Sequence, residues 1–506
     1  MTEISGILPW KRFFKWGAGI AGLAVLSRCS GLIREMVVAH CVGIGESVDV
    51  YYLASAVPLF VAWMGDAATT QTVLPLFTRR IEADSLESAW RLACGVLWIA
   101  LLIVAVPVVA ATVAPLALWR AISASDGASN AALARMIILL SLPVMLVQTV
   151  GGWQTGILQS RKRFFLPAAI PMAYNLALVF VLLVGARHWG VLALAVGLLA
   201  AEAMRTLLQW PTLVRMGIRM HHVFRPDWTS ARRSLTHLIP IASVVGLQQI
   251  VFITDRLMAK GLPEGSVSAL AYGHRLLILP YSMLVAAVAT PLFSMFSECA
   301  AQDDIPRLKE WVVGGLRLMI RLGLPITLML VVLRVPLVRM LFQHGAFDEH
   351  ATQLASSAVL GYGMSLVFFA VLPVLSQYFY AVGEVRTPLL ASGVCAVLNI
   401  GLNTLFRDLW SHAGIAVASA ISFAVCAGLH LPALQKRLGS LAKEGHLMLR
   451  EFLLSGLAMG FCMAVCLVLA QRMAFSRPIV ADLVTTTIVG GVGVLAGLVV
   501  WRLSKR

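Results

Sequence analysis

Charge is scarce in this 506-residue chain. Asp, Glu, Lys and Arg make up 13% of it and hydrophobic residues 59%, where soluble domains carry about 25% charged residues. That balance excludes a soluble enzyme. The longest stretch between apolar runs, residues 214–235, is too short to house a separate catalytic domain, and HExxH, GxSxG and GxxxxGK[ST] are all missing. The eight cysteines fall mostly within apolar runs and show no CxxC or Cys/His spacing. They read as small buried hydrophobes, with neither a disulfide framework nor a metal centre. Alternating strand segments are lacking too, which excludes a β-barrel. The net charge of +16 is dispersed between apolar runs, and no basic face exists to carry phosphate contacts with nucleic acid.

What is present is a succession of apolar runs long enough to cross a hydrocarbon layer about 30 Å thick. Grouping them predicts fourteen spans, at 16–40, 49–76, 92–118, 133–158, 165–186, 190–212, 236–258, 267–296, 312–341, 353–381, 388–406, 413–433, 452–471 and 479–501. The expected fold is an all-α polytopic membrane protein. The first run follows Lys11, Arg12 and Lys15, contains Arg28, Arg34 and Glu35, and lacks a small-residue cleavage site. It is expected to be a retained span, not a removable signal. Of the 40 Lys and Arg, 24 fall in segments on the side of the N-terminus, seven on the opposite side and nine within spans. Basic residues hold loops in the cytoplasm, so both termini are expected there.

An internal repeat runs at an offset of 216–224 residues. Tyr52 and Pro58 recur as Tyr272 and Pro280, Pro75-Leu76-Phe77 as Pro291-Leu292-Phe293, and Trp90 as Trp311. Pro167 matches Pro388, Asn175 matches Asn399, and His188 with Gly190 matches His412 with Gly414. Such an ordered series implies two six-helix halves in the same orientation, residues 1–223 and 224–440, followed by two additional helices in 441–506. Paired halves with a substrate site between them are a transporter architecture.

Ionisable groups inside spans are costly, about 2.5–3.5 kcal/mol each at a helix centre, so they mark cavities or pairs. Arg317, Arg321, Arg334 and Arg339 stand towards the ends of the ninth span, where snorkelling accounts for them. Glu202 and Arg205 are three apart and read as a structural pair. Arg28, Arg34 and Arg275 are harder to place. Guanidinium forks grip phosphate oxygens in pairs, so these three suit an anion such as a diphosphate; the alternative is an internal salt-bridge set with Glu35 and Asp49. Asp49 and Asp66 flank the second span and, like Glu35, are gating or salt-bridge candidates. Asp255, Asn399, Asn403 and Ser419 offer hard oxygen ligands from three helices to a monovalent cation or a proton, or else bond the helices together. His221 and His222 read as a solvated pair.

Several stretches resemble a known family. Leu26-Ser-Arg28-Cys-Ser-Gly-Leu-Ile-Arg34-Glu35, Asp49-Val-Tyr-Tyr-Leu-Ala, and Gln71 with Leu74-Pro75-Leu76-Phe77 are similar to the opening of the MurJ/MviN family of lipid II flippases. Asp255-Arg256, Gly265 through Tyr272 to Arg275-Leu276, Leu341 through Gly345 to Phe347, and Tyr380 through Gly383 and Arg386 to Pro388 follow in the family's order. The resemblance spans residues 16–435. It implies a member of the multidrug/oligosaccharidyl-lipid/polysaccharide exporter superfamily that carries undecaprenyl-diphosphate-linked peptidoglycan precursor, lipid II, across the membrane by alternating access. It also implies that Arg28, Arg34, Asp49 and Arg275 are cavity residues, that the last two spans form a groove for the prenyl tail, and that no cofactor is needed beyond the membrane potential or a monovalent cation. Membrane lipids and cell-wall synthesis enzymes are the expected partners, and nucleic acid is not. One departure stands out: Pro58 to Asp66 carries no basic residue where the family commonly has them. Other readings are an exporter of a different undecaprenyl-linked saccharide, a drug/cation antiporter, a membrane glycosyltransferase and a scaffold for cell-wall enzymes.

Overall fold

A bilayer core offers no water to backbone groups, so each spanning segment must satisfy its own N–H and C=O groups as helix. The computed structural model describes residues 10–112, 128–440, 442–471 and 478–504, and all regular structure among them is helical. Arg120, Arg472 and Arg477, counted above with the outer loops, and Lys505 and Arg506 at the C-terminus lie outside the described residues. The first helices are α1 (Trp10–Val42), α2 (Glu46–Ala83), α3 (Leu86–Thr112), α4 (Ala128–Ser160), α5 (Phe165–Trp189) and α6 (Leu192–Arg215). Two short helices, α7 (Met220–Phe224) and α8 (Trp228–Arg233), lead into α9 (Leu235–Met258). Then come α10 (Ser266–Leu284), α11 (Thr290–Ala301), α12 (Ile305–Val332), α13 (Arg334–Phe342), α14 (Glu349–Ala381), α15 (Arg386–Leu438), α16 (Ala442–Gln471) and α17 (Pro478–Ser504).

All fourteen expected spans fall on helix, apart from the turn at Gly190 and Val191 that opens the sixth and the end of the third, which runs beyond the described residues. Ten helices of the described residues are long and apolar enough to cross a bilayer. Three spans depart from the simple expectation. The eighth is interrupted by a π-helical turn, Val285–Ala289. The ninth breaks at Leu333 into α12 and α13. The eleventh and twelfth form one element, α15, kinked at Trp410 and Ser411, where Ser411 takes a φ of 55°. Asp304 and Asp348 start α12 and α14 by accepting the amide hydrogens of Arg307 and Ala351 at 3.1 and 2.8 Å, the usual work of a helix-capping carboxylate.

The chain divides into two compact units. Unit one is Met1–Val42 with Ala54–Gly246, and unit two is Gly43–Leu53 with Leu247–Arg506. In unit one Phe77, Trp90 and Trp153 are fully buried, and the Trp153 indole donates to the Ala93 carbonyl at 2.7 Å. The core of unit two gathers Phe296, Tyr378 and Phe379 among α11, α12, α14 and the second arm of α15.

With lipid as apolar as leucine, helix association in membranes relies on close backbone approach. Two glycines provide it beside polar groups. A Cβ at Gly152 on α4 would fall 2.4 Å from the Asp66 carbonyl oxygen of α2, and one at Gly361 on α14 would fall 2.6 Å from Ala416 of α15. Each thus brings together the helices that bear a buried polar cluster.

Candidate functional site

The most complete polar centre lies in unit two around Asp255, which is entirely buried on α9. Asn399 and Asn403, four residues apart on the first arm of α15, donate from their amides to Asp255 Oδ1 at 3.2 and 2.9 Å. Ser419 on the second arm donates to Oδ2 at 2.6 Å. The structure thus brings together all four residues expected from the sequence. It adds one that sequence reasoning missed: Tyr362 of α14 donates to Oδ2 at 2.9 Å. Nothing in the sequence around Tyr362 distinguishes it from a core aromatic, and only the packing of α14 on α15 points its hydroxyl at the carboxylate.

No cationic side chain is hydrogen-bonded to Asp255 among the described residues, so four neutral donors alone hold a buried carboxylate. The amides also bond to each other, Asn403 donating to Asn399 Oδ1 at 3.1 Å, while Asn403 Oδ1 is buried without a hydrogen-bond partner. An amide presents nitrogen or oxygen by a half turn of its terminal torsion. The same residues can therefore face a carboxylate with donors or surround a cation with oxygens.

In unit one, Arg34 of α1 is held on several sides. Its Nε donates to Glu35 at 3.0 Å, its Nη1 donates to Asn175 Oδ1 at 2.9 Å, and its guanidinium lies 6.0 Å from the Tyr174 ring centre. Asn175 in turn donates to Ser30 at 2.8 Å. Glu35 is buried, and the Arg34–Glu35 pair, part of the alternative salt-bridge reading, is present and fixes the arginine's direction. Arg28, two turns earlier, is half-buried.

Asp49 and Arg275 belong to unit two. Asp49 is buried, and its two oxygens accept the backbone amides of Gly265 and Ser268 at 2.8 and 2.7 Å. It therefore caps the start of α10, the helix that carries Arg275. Gly265, with a φ of 86°, makes the turn that aims these amides at Asp49.

Asp66 does not bond to Arg34 in this structure; its partner is Arg205, at 2.5 Å. Arg205 also meets Glu202 at 3.5 Å, so the expected Glu202–Arg205 pair is one side of a part-buried triad. Gly151 and Gly152 leave room on α4 for the arginine and the aspartate.

Two expectations need correction. Arg317, Arg321 and Arg339 do not merely snorkel. Arg321 and Arg317 approach Glu451 of α16 at 2.9 and 3.9 Å, and Arg339 approaches Asp482 of α17 at 3.4 Å and Glu349 at 3.5 Å. The added helices supply carboxylates within reach of the arginines. Between α12 and α16 opens an apolar groove of about 500 Å³, walled by Leu318, Leu322, Pro325, Phe452 and Met459, with Arg317, Arg321 and Glu451 at its polar edge.

His221 and His222 are not a solvated pair either. His222 is buried, stacks on Trp90 with ring centres 6.5 Å apart, and accepts the Arg219 amide on Nδ1 at 3.0 Å. Burial, followed by the charge of His221, holds its pKa below the ordinary value. Nearby, Asp227 accepts the Ser230 amide at 3.0 Å and lies 3.4 Å from Arg80. Its partial burial is outweighed by the Ser230 bonds and by Arg80 and Arg91, and its pKa falls. Ligand-type atoms of Glu87, His221 and His222 come within 4.8 Å of one another. His222 Nδ1 is already engaged and Arg91 and Arg219 stand close, an arrangement that favours a packed loop over a metal centre.

A family model described as Lipid II flippase MurJ matches residues 38–487. A probable lipid II flippase MurJ of Vibrio cholerae is 28% identical over 431 residues, which cover 81% of this chain and 81% of the relative. The lipid II flippase MurJ of Burkholderia cenocepacia is 26% identical over 433 residues, 83% of each chain. Among solved structures, a lipid II flippase MurJ in an inward closed conformation matches with a TM-score of 0.76 at 19% identity, over 96% of this chain and 99% of its own. An inward-facing multidrug resistance MATE family transporter of the MOP superfamily matches with a TM-score of 0.69 at 15% identity, over 84% and 99%. At these identities the structural matches speak for the fold.

Proposed function

The chain belongs to the lipid II flippase MurJ family, and on that premise we propose that it carries lipid II from the cytoplasmic to the periplasmic leaflet of a bacterial inner membrane by alternating access. The observation that carries this reading is the family match across residues 38–487, which includes Asp49, Asp255 and Arg275. Both termini face the cytoplasm in this reading, as the 24 basic residues on that side require. Residues 1–223 and 224–440 are its two rocking halves and 441–506 an addition that serves the prenyl tail.

Moving a diphosphate through a layer of low dielectric is prohibitive unless it is paired. Arg28, Arg34 and Arg275 provide that pairing with bidentate contacts. The acidic neighbours work at one remove. Glu35 holds Arg34, and Asp49, with both oxygens spent on α10, fixes the helix of Arg275 and leaves the anion to the arginines. Asp66 fastens α2 to α6 through Arg205. The prenyl tail lies in the apolar groove between α12 and α16 while the head group crosses.

Asp255, Asn399, Asn403 and Ser419 are the coupling site for a small monovalent cation, with Tyr362 as a fifth member. The unpartnered Asn403 Oδ1 fits this role, since a cation is what a buried free acceptor lacks. An inside-negative membrane favours cation entry and anion exit, by about 2.3 kcal/mol per charge per 100 mV. A second reading, export of another undecaprenyl-linked saccharide, is favoured by the absence of basic residues from Pro58 to Asp66.

The test is rescue of a bacterium depleted of its own lipid II flippase. The wild-type chain should restore growth and surface exposure of lipid II, and R28A and R275A should do neither at equal expression. A well-inserted wild-type chain that fails would shift the cargo to another undecaprenyl-linked lipid. Full rescue by both variants would overturn the arginine mechanism.

A further inference from the structure

Unit two holds a second cavity, of about 270 Å³, that the proposed cycle has not used. Each helix of the Asp255 cluster contributes to its wall. Val251 precedes Asp255 by four residues on α9, and Cys395 precedes Asn399 by four on the first arm of α15. Phe423 follows Ser419 by four on the second arm, and Phe369 follows Tyr362 by seven on α14. At 1.5 Å per residue these offsets amount to about 6–10 Å. Neighbouring helices in the set run in opposite directions, so the backward and forward steps all lead the same way. They lead towards the end of the bundle that carries Arg386, Lys436 and Arg437, the cytoplasmic end in the orientation proposed above.

The cavity changes character along that direction. On the side of the carboxylate stand Phe423, one turn from Ser419, and Phe369, two turns from Tyr362, with ring centres 4.7 Å apart. Further along are Gln377, Tyr380 and His430, and Gln377 Oε1, Tyr380 OH and His430 Nε2 are all buried without a protein hydrogen-bond partner. His430 Nδ1 lies 2.8 Å from the Cys426 carbonyl, which can only accept, so Nδ1 carries the hydrogen and Nε2 of the neutral ring offers a lone pair. Buried polar atoms of this kind are satisfied by water, and the space admits several molecules at about 30 Å³ each.

We propose that this cavity is the hydrated vestibule through which the small cation bound at Asp255 exchanges with the cytoplasm, with the Phe369 and Phe423 rings as the barrier between water and carboxylate. The proposal rests on the reading of the Asp255 cluster as a cation site. Gln377, Tyr380 and His430 ease the cation's partial dehydration on the way, and the rings keep the carboxylate from standing open to water throughout the cycle.

Cys395 and Cys426 line this cavity and serve as reporters once the other six cysteines are changed to Ala in the full-length chain, reconstituted in vesicles of known orientation. A small membrane-impermeant cationic methanethiosulfonate should modify them from the cytoplasmic face and not from the other. Ser392→Leu, which fills the cavity, should slow that modification about tenfold, a barrier rise near 1.4 kcal/mol. It should slow association of radioactive sodium as much without changing the amount bound at equilibrium. No modification from either face in a chain that still flips lipid, or modification from the periplasmic face alone, would overturn the vestibule. Equilibrium sodium binding by wild type and D255N tests the premise separately. Loss in D255N upholds it, whereas no binding by wild type, or equal binding by both, removes the premise and the proposal with it. Loss of sodium binding in D255N together with thiols that no reagent reaches would leave the cation site standing and reject only the route.

Discussion

Each unit places carboxylate among its packed helices, and the two neutralise it differently. In unit one Asp66 and Glu202 share Arg205, a cation built into the protein. In unit two Asp255 receives four hydrogen bonds from uncharged groups and, among the described residues, no ion pair. A built-in partner cannot leave, so the first cluster is a fastener that ties α2 to α6. A carboxylate surrounded by neutral donors keeps its charge available, and a mobile cation can take the place the arginine occupies in the other unit. The lesson is that the cost of burying a charge says little about its use until its partners are known.

Breaking the fastener should have the largest effect. Arg205→Ala leaves the buried Glu202 and the part-buried Asp66 without their shared cation and should destabilise the protein by about 3 kcal/mol, read as a fall in thermal unfolding midpoint in detergent that sodium does not repair. Asp255→Asn should spare stability and act on cation binding. The cluster keeps hydrogen-bonding groups of the same shape and the apo protein should stay about as stable, but cation affinity should drop roughly 100-fold, about 2.7 kcal/mol. The midpoint should then show no rise with sodium, whereas that of the wild type should rise by ligand linkage. An Asp66→Asn variant that also lost its sodium response would break the comparison.

Tyr362→Phe sharpens it further. Removing one donor to a charged acceptor should cost about 1.5 kcal/mol, and equilibrium titration should show most of that loss in the cation-free state, because sodium replaces the missing donor. The smallest effects are expected in the loop between α6 and α9, outside the membrane spans. Asp227→Ala should remove about 1 kcal/mol of capping, seen as faster proteolysis of residues 216–234. Here His222 has a depressed folded pKa, so the stability it contributes is present above its ordinary value near 6.5 and is lost as pH falls through that value towards the folded one. Proteolysis should therefore quicken between about pH 7 and 5. His222→Phe keeps the stacking on Trp90 and should flatten that dependence.

Much of this architecture is legible in the residues. The spans are visible because hydrocarbon tolerates nothing but apolar helix, and the four expected members of the Asp255 cluster stand out because each is polar where polarity is costly. The pairing of charges is less legible. Asp66 is 139 residues from Arg205 and Arg321 is 130 from Glu451. Nothing local announces either partnership, and the obvious guess for Arg317 and Arg321, escape to water, assumed that no acid would be nearer. His222 was misread for a related reason, since two adjacent histidines in a short polar stretch give no sign that one ring will be covered by Trp90.

The sequence by itself determined the class of solvent, the number of spans and the family, because these follow from transfer energies and motifs summed along the chain. Only the tertiary structure decided which carboxylate is locked and which is free. That depends on where glycines such as Gly152 and Gly361 let helices touch, on the kink at Ser411 that returns Ser419 towards Asn399, and on the turn of α14 that aims Tyr362. Partnership in a low-dielectric interior acts over about 3 Å, and no pattern along a chain specifies distance at that scale.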